Sequence, residues 1–227
     1  MDATSSSIVA YLGAVPTTLA TLVGRVQQGV AASVGQDFRP RPVAQVHATV
    51  IGLETPSRST RVSEHRRFDV EPLADHLVRT FARDPLDIQF GGFARADRRL
   101  TSRGEPLHDR TFLARDGNVV LIGWPVVATA PVPVVADIRR GCEPFGVVHR
   151  YHVVAGSSDP DVYLVVGRTP AGIDTERLEA DVRGWLAGAP VRVPMLVDDL
   201  SLVEYTDTSL PAATTRRRPL RDLVRGR

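Results

Sequence analysis

The chain has 227 residues, 43% of them apolar and 24% charged, which suits one large domain or two small lobes sharing a core. Its formal charge of +2 calls for no polyanionic partner, but all 28 basic residues are arginine and lysine is absent. Schiff-base, lysyl-adenylate and Walker-A chemistry are thereby excluded, so any phosphate would be held by arginine forks, hydroxyls or backbone N–H groups.

In chain order, Ile8 to Ala14 reads as a strand, and its apolar run ends at Pro16. That run is too short for a membrane span or signal peptide. Pro16 suits the first turn of a helix, and Leu19, Leu22, Val23, Val26 and Val30 follow at helical spacing. Pro42 to Leu53 reads as a buried strand carrying His47 and Thr49, and residues 55–67 read as a polar loop. Leu73, Leu77, Val78 and Phe81 mark a second helix, and Leu86 to Phe90 a strand ending at Gly91-Gly92. A long arginine-bearing loop spans 95–110. Val119 to Trp124 and Val162 to Val166 read as strands, with helical or irregular chain over about 132–153 between them. Asp174 is a candidate N-cap for a helix with Leu178, Val182, Trp185 and Leu186 on one face, and Leu200 to Tyr205 closes as a strand. The order β-α-β-α-β, then repeated, predicts an α+β fold of two pseudo-symmetric lobes forming one bilobal domain over 1–206, with lobe one at about 1–112 and lobe two at about 113–206. Residues 207–227 form an arginine-rich tail, read either as a solvated terminus or as a contact for nucleic acid. The lone cysteine, Cys142, excludes an intrachain disulfide and a cysteine metal cluster, and fits a reducing cytoplasm.

The chemistry centres on His47-Ala48-Thr49. Side chains two apart on a strand share a face. An imidazole beside a hydroxyl can move a proton and hold an anionic oxygen, which is half of a phosphodiester-cleaving site. The strand Val9 to Leu12, Pro16, and His47-Ala48-Thr49-Val50 leading to Gly52-Leu53 together resemble the 2H phosphoesterase superfamily, which includes 2′-5′ RNA ligase-like proteins and cyclic phosphodiesterases; Leu200 to Tyr205 resembles its last strand. The resemblance implies two pseudo-symmetric lobes around a groove, one His-x-Thr/Ser motif from each, and metal-independent acid/base catalysis without a cofactor. By strand order the second motif falls at Tyr163 and Val165, where the resemblance calls for a histidine and a hydroxyl. Tyr163 can bind a phosphate or a base but is a poor base at neutral pH.

His108, His149 and His152 are the candidates for the missing acid or base, and Arg103, Arg110 and Arg168 for charge stabilisation. Two functions follow as expectations. One is a divergent 2H-type phosphoesterase acting on a cyclic nucleotide or RNA-end phosphodiester through His47 and Thr49. The other is an inactive nucleotide- or RNA-binding module on the same fold. Glycine-rich phosphate loops, His-Glu-x-x-His helices and Gly-x-Ser-x-Gly elbows are all absent from the sequence.

Overall fold

In a computed structural model the described residues are 5–12, 17–53, 70–149, 159–170 and 175–224. The roles expected of Pro16, the 55–67 loop, His152 and Asp174 fall outside them. The strands are β1 (Ser5–Ala10), β2 (Arg39–Pro40), β3 (Ala48–Gly52), β4 (Leu86–Phe90), β5 (Thr101–Ser102), β6 (Glu105–Pro106), β7 (Phe112–Arg115), β8 (Asn118–Val127), β9 (Ala130–Pro131), β10 (Val162–Arg168), β11 (Val191–Met195), β12 (Leu200–Tyr205) and β13 (Arg216–Pro219). The helices are α1 (Thr17–Val34), α2 (Val70–Arg83), α3 (Leu107–Arg110), α4 (Val134–Arg140) and α5 (Glu176–Ala187). The fold is α+β, as expected, and its pairings are antiparallel.

The main sheet runs β11-β4-β8-β10-β3-β1-β12-β13, with β2 on β10, and β7 and β9 on β8. The two halves meet where Ala48 of β3 pairs with Leu164 of β10. They are not the sequential lobes expected from the order of elements. β4, from the first half of the chain, lies with β8 and β11, while β12, from the second, lies against β1. The crossovers follow from burial. The apolar stripe of α1 (Leu19, Leu22, Val23, Val26, Val30) joins one core with Leu73, Leu77 and Phe81 of α2 and Leu178, Val182 and Leu186 of α5. Ile8, Ala48, Leu121, Leu164 and Leu202 project from the sheet into that core. Their neighbours along the strands project to the opposite face, where Val9, Tyr11, Val203 and Tyr205 form one cluster and Val120, Ile122 and Trp124 another.

Two further elements have clear local causes. Asp116 and Gly117 both have positive φ (52° and 75°), and this two-residue turn joins β7 to β8 in a tight hairpin. β11 pairs with β4 despite Pro194, which an edge strand tolerates. The C-terminal segment differs more from expectation. Arg216 to Pro219 adds β13 to the edge of the sheet, and Leu220 is fully buried in the main core. Over 207–224 the chain is therefore an ordered segment and not a frayed tail, anchored by buried Leu210 and Leu220, while the β13 side chains themselves are exposed; Arg225 and Arg227 lie outside the described residues.

β3 and β10 share only that one pair before they splay, and Arg139 of α4 fills the gap. Its Nε donates to Val50 O (3.0 Å) and its Nη2 to Thr49 O (3.0 Å) on β3. On the other side Nη1 donates to Asp159 O (2.6 Å) and Nη2 to Asp161 O (3.1 Å). One guanidinium thus replaces the missing ladder bonds between two strands, using donors that would otherwise be buried without partners. Burial lowers its pKa, and the Asp159 and Asp161 carboxylates oppose that shift.

Arg139→Met is expected to destabilise the chain by about 3–5 kcal/mol, since it leaves four backbone carbonyls without their donor and removes one of the two arginines paired with buried Asp159; urea unfolding checks this. Leu220→Ala is expected to cost about 2–5 kcal/mol by the same measurement. A neutral result there would restore the solvated tail.

Candidate functional site

His47 stands just before β3, not within it, because Val43–Gln45 form a 3-10 turn where the sequence predicted continuous strand. The change of direction lets its ring Nδ1 reach Gln45 O at 2.8 Å. That bond requires N–H at Nδ1, so Nε2 carries the lone pair. His47 is 8% exposed, and its ring lies 5.8 Å from that of Tyr11, tilted by 55°. Burial, with Arg41 adding to it, pushes the imidazole down to about 4, so it is neutral at pH 7. Thr49 pairs with Val9 and shares its face, and its side chain is exposed.

Three residues around His47, two of them cations, shape the site's electrostatics and were not read as site residues in the sequence. The first is Arg41. Its backbone is held by Arg41 N donating to Val166 O (3.0 Å) and by Gln27 Nε2 donating to Arg41 O (2.7 Å). Its residue is 8% exposed, yet its guanidinium makes no hydrogen bond or ion pair among the described residues. The second is Tyr11, over whose ring the Arg217 guanidinium lies at 4.1 Å. Burial raises the Tyr11 hydroxyl, against the pull of Arg217 and Arg41, so it remains a neutral donor. The third is Arg217, which pairs with Val203 and so shares its face; its Nε donates to Ser201 Oγ at 3.0 Å. The signals were present as Arg39-Pro40-Arg41-Pro42, where each proline holds the preceding arginine extended, and as the Arg216-Arg217-Arg218 run.

Tyr163 and Val165 flank Leu164 as His47 and Thr49 flank Ala48, so the two expected motif positions are neighbours across the centre of the sheet. Both pack, half-buried, against the cluster of Phe93, Leu107, Trp124 and Ile122. The 93–110 excursion therefore covers this half of the face with apolar side chains. Arg168 is exposed at the end of β10, where Nη2 lies 3.5 Å from Thr208 Oγ1, and its charge acts on Arg41.

The remaining expected site residues are elsewhere. Arg110 is buried, donating to Asp161 Oδ2 at 2.6 Å, and Arg103 pairs with Asp159 at 3.5 Å. Both arginines neutralise the carboxylates that flank Arg139, so neither is a free phosphate ligand. His149 is buried, with Nδ1 3.8 Å from the same Asp159. His108 points Nδ1 at Phe93 O, 3.1 Å away, and braces the excursion. Neither stands in for a histidine at Tyr163. Burial pushes the Cys142 thiol up to about 12, which removes a thiolate nucleophile at neutral pH. Among the described residues no group of three His, Cys, Asp or Glu side chains is gathered to hold a metal, and no helix is long and apolar enough to cross a membrane.

No protein-family profile matches the chain, and no curated protein matches it. Solved structures similar to the chain include two proteins. One is the protein TT0787 of Thermus thermophilus, 14% identical over 94% of this chain and 93% of that one, with a TM-score of 0.46. The other is the conserved protein of unknown function ATU0111 from Agrobacterium tumefaciens, 14% identical over 90% and 81%, with a TM-score of 0.47.

The neutral His47 has a stability signature. Its folded pKa of about 4 lies below the ordinary 6.5, so its contribution is complete above pH 6.5 and is lost as pH falls through 4. The full loss amounts to at most about 3 kcal/mol. His47→Gln is expected to flatten the fall in urea-unfolding stability between pH 6.5 and 4. Parallel wild-type and variant curves would show that the imidazole is not held neutral.

Proposed function

We propose that this chain is a nucleotide- or RNA-end-binding module on a 2H phosphoesterase-like scaffold, holding a phosphate group on the sheet face that carries His47 and Thr49. The observation that carries the reading is the pairing of Ala48 with Leu164, which sets His47 and Thr49 beside Tyr163 and Val165. That is the relation two pseudo-symmetric motifs would have, with one of them lacking its acid/base and its hydroxyl. Arg41 and Arg217 add cations on the His47 side, and Thr49 adds a hydroxyl donor.

Binding is better supported than turnover. Cleavage needs one group to take a proton and another to give one, and loss of either typically costs about 10²–10⁴-fold in rate. Neutral His47 can accept a proton at Nε2, but Tyr163 is half-buried under the excursion, and His108 and His149 serve other contacts. A phosphodiesterase is the second reading, favoured by that free Nε2 lone pair and by the Tyr11 hydroxyl as a neutral proton donor beside it.

Calorimetric titration with 2′,3′-cyclic, 3′,5′-cyclic and 2′-5′-linked nucleotides, with chromatography of the same mixtures, tests both. The expected result is binding weakened at least about tenfold by His47→Ala, with no product. Product formed by the wild type and lost in His47→Ala would establish the phosphodiesterase. No binding and no product would sink both readings.

A further inference from the structure

The cations near His47 are arranged unlike the other buried arginines of the chain. Arg139 and Arg110 are each matched to carbonyls or carboxylates. Arg41 is as enclosed as His47 and has neither. Its nearest electrostatic neighbours include another cation, Arg168, which makes its charge still harder to hold, and one anion, Asp207. The charged and titratable groups acting on this pocket are Arg41, His47, Tyr11, Arg168, Asp207 and Arg217. Asp207 is held ionised by the Ser209 N–H, which donates to its Oδ1 at 2.7 Å. Arg41 and Arg168 both act on the Asp207 carboxylate, and the Arg217 guanidinium lies over the Tyr11 ring, so cations outnumber carboxylates here; Arg168 and Arg217 are exposed to water.

Polar atoms without partners converge on the same place. Among the described residues the Tyr11 hydroxyl, His47 Nε2 and the Arg41 guanidinium make no hydrogen bond within the protein, and none of these atoms is sealed from solvent, although the bodies of the three side chains are buried. The segment after β12 borders these groups. Leu210, at φ 51°, packs on Val9, Tyr11, Val203 and Tyr205, and Thr208 meets Arg168. Solvent-reachable cations that outnumber the neighbouring carboxylate attract an added anion, and the donors here are forks and a hydroxyl suited to tetrahedral oxygens.

We propose that Arg41, Arg217, Arg168 and the Tyr11 hydroxyl form a site selective for a dianionic phosphomonoester, so that a ligand's terminal phosphate is held more tightly at neutral pH than a monoanionic diester. This rests on the phosphate-binding reading above and narrows its ligand. His47 Nε2, uncharged, accepts a hydrogen bond from a hydroxyl of the ligand. Thr49 donates to a phosphate oxygen.

The test is calorimetry on the full chain with adenosine 3′-monophosphate and adenosine 2′,3′-cyclic monophosphate at pH 5 and pH 7. A monoester gains its second charge near pH 6, so its affinity is expected to rise about tenfold between these values, whereas the singly charged cyclic ester keeps the same affinity. Arg41→Gln is expected to weaken monoester binding at pH 7 at least about tenfold and to abolish the rise with pH. Arg217→Gln, on the edge strand, provides the same readout should Arg41→Gln fail to fold. Equal binding of both esters, each lost in His47→Ala, overturns the dianion pocket and leaves the binding module standing. Monoester binding indifferent to both arginine substitutions overturns the assignment of the pocket. Binding of neither ester overturns the pocket and the reading it rests on.

Discussion

The fold depends on one buried guanidinium. β3 and β10 join the two halves of the sheet, yet only Ala48 and Leu164 pair across them. Beyond that pair, Arg139 bridges the strands through Val50 O, Thr49 O, Asp159 O and Asp161 O. No other side chain type could do this, because only arginine offers five donors in a planar fork with a charge that persists when buried. The charge brings its own demand for anions. Asp159 answers it with an ion pair at 3.4 Å, and Asp161 lies beside it, its carboxylate oxygens accepting from Ser102 Oγ (2.6 Å), Trp124 Nε1 (2.8 Å) and Arg110 Nη2 (2.6 Å). The network ties the 93–110 excursion to the sheet and so closes the face over Tyr163.

That closure explains the asymmetry of the site. On the β10 side, apolar side chains cover Tyr163 and Val165, and the local arginines are absorbed by Asp159 and Asp161. On the β3 side, the groups around His47 are polar and incompletely matched. Arg41 is positioned by a backbone fixed between two prolines, and Arg217 by a strand at the opposite edge of the chain order. Polar and cationic groups on this face of the sheet are thus concentrated on the β3 side.

Element types were largely legible. The stripe Leu19 to Val30 and the alternation in Leu86 to Phe90 each specify an element, because periodicity reports which side chains leave water. The Asp116-Gly117 turn was not read in the sequence, although two consecutive positive φ angles at a hairpin favour that dipeptide. His47 and Thr49 were legible as a pair on one face, although the turn at Val43–Gln45 shortened the strand beneath them. The arginines were legible as phosphate-compatible residues but not as individuals. Arg103 and Arg110 looked suited to phosphate and are ion-paired; Arg217 looked like part of a tail and lies on Tyr11.

By itself the sequence determined the α+β class, the absence of lysine and disulfide chemistry, and the presence of one imidazole-hydroxyl pair without a matching second. These depend on composition and short-range periodicity. The tertiary structure decided which strands lie together, that β4 and β12 exchange halves, and which arginines are neutralised. An arginine's role depends on whether a carboxylate tens of residues away is folded against it: Arg110 meets Asp161, and Arg41 meets no such partner among the described residues. That outcome is a matter of long-range packing and desolvation, which no local pattern encodes.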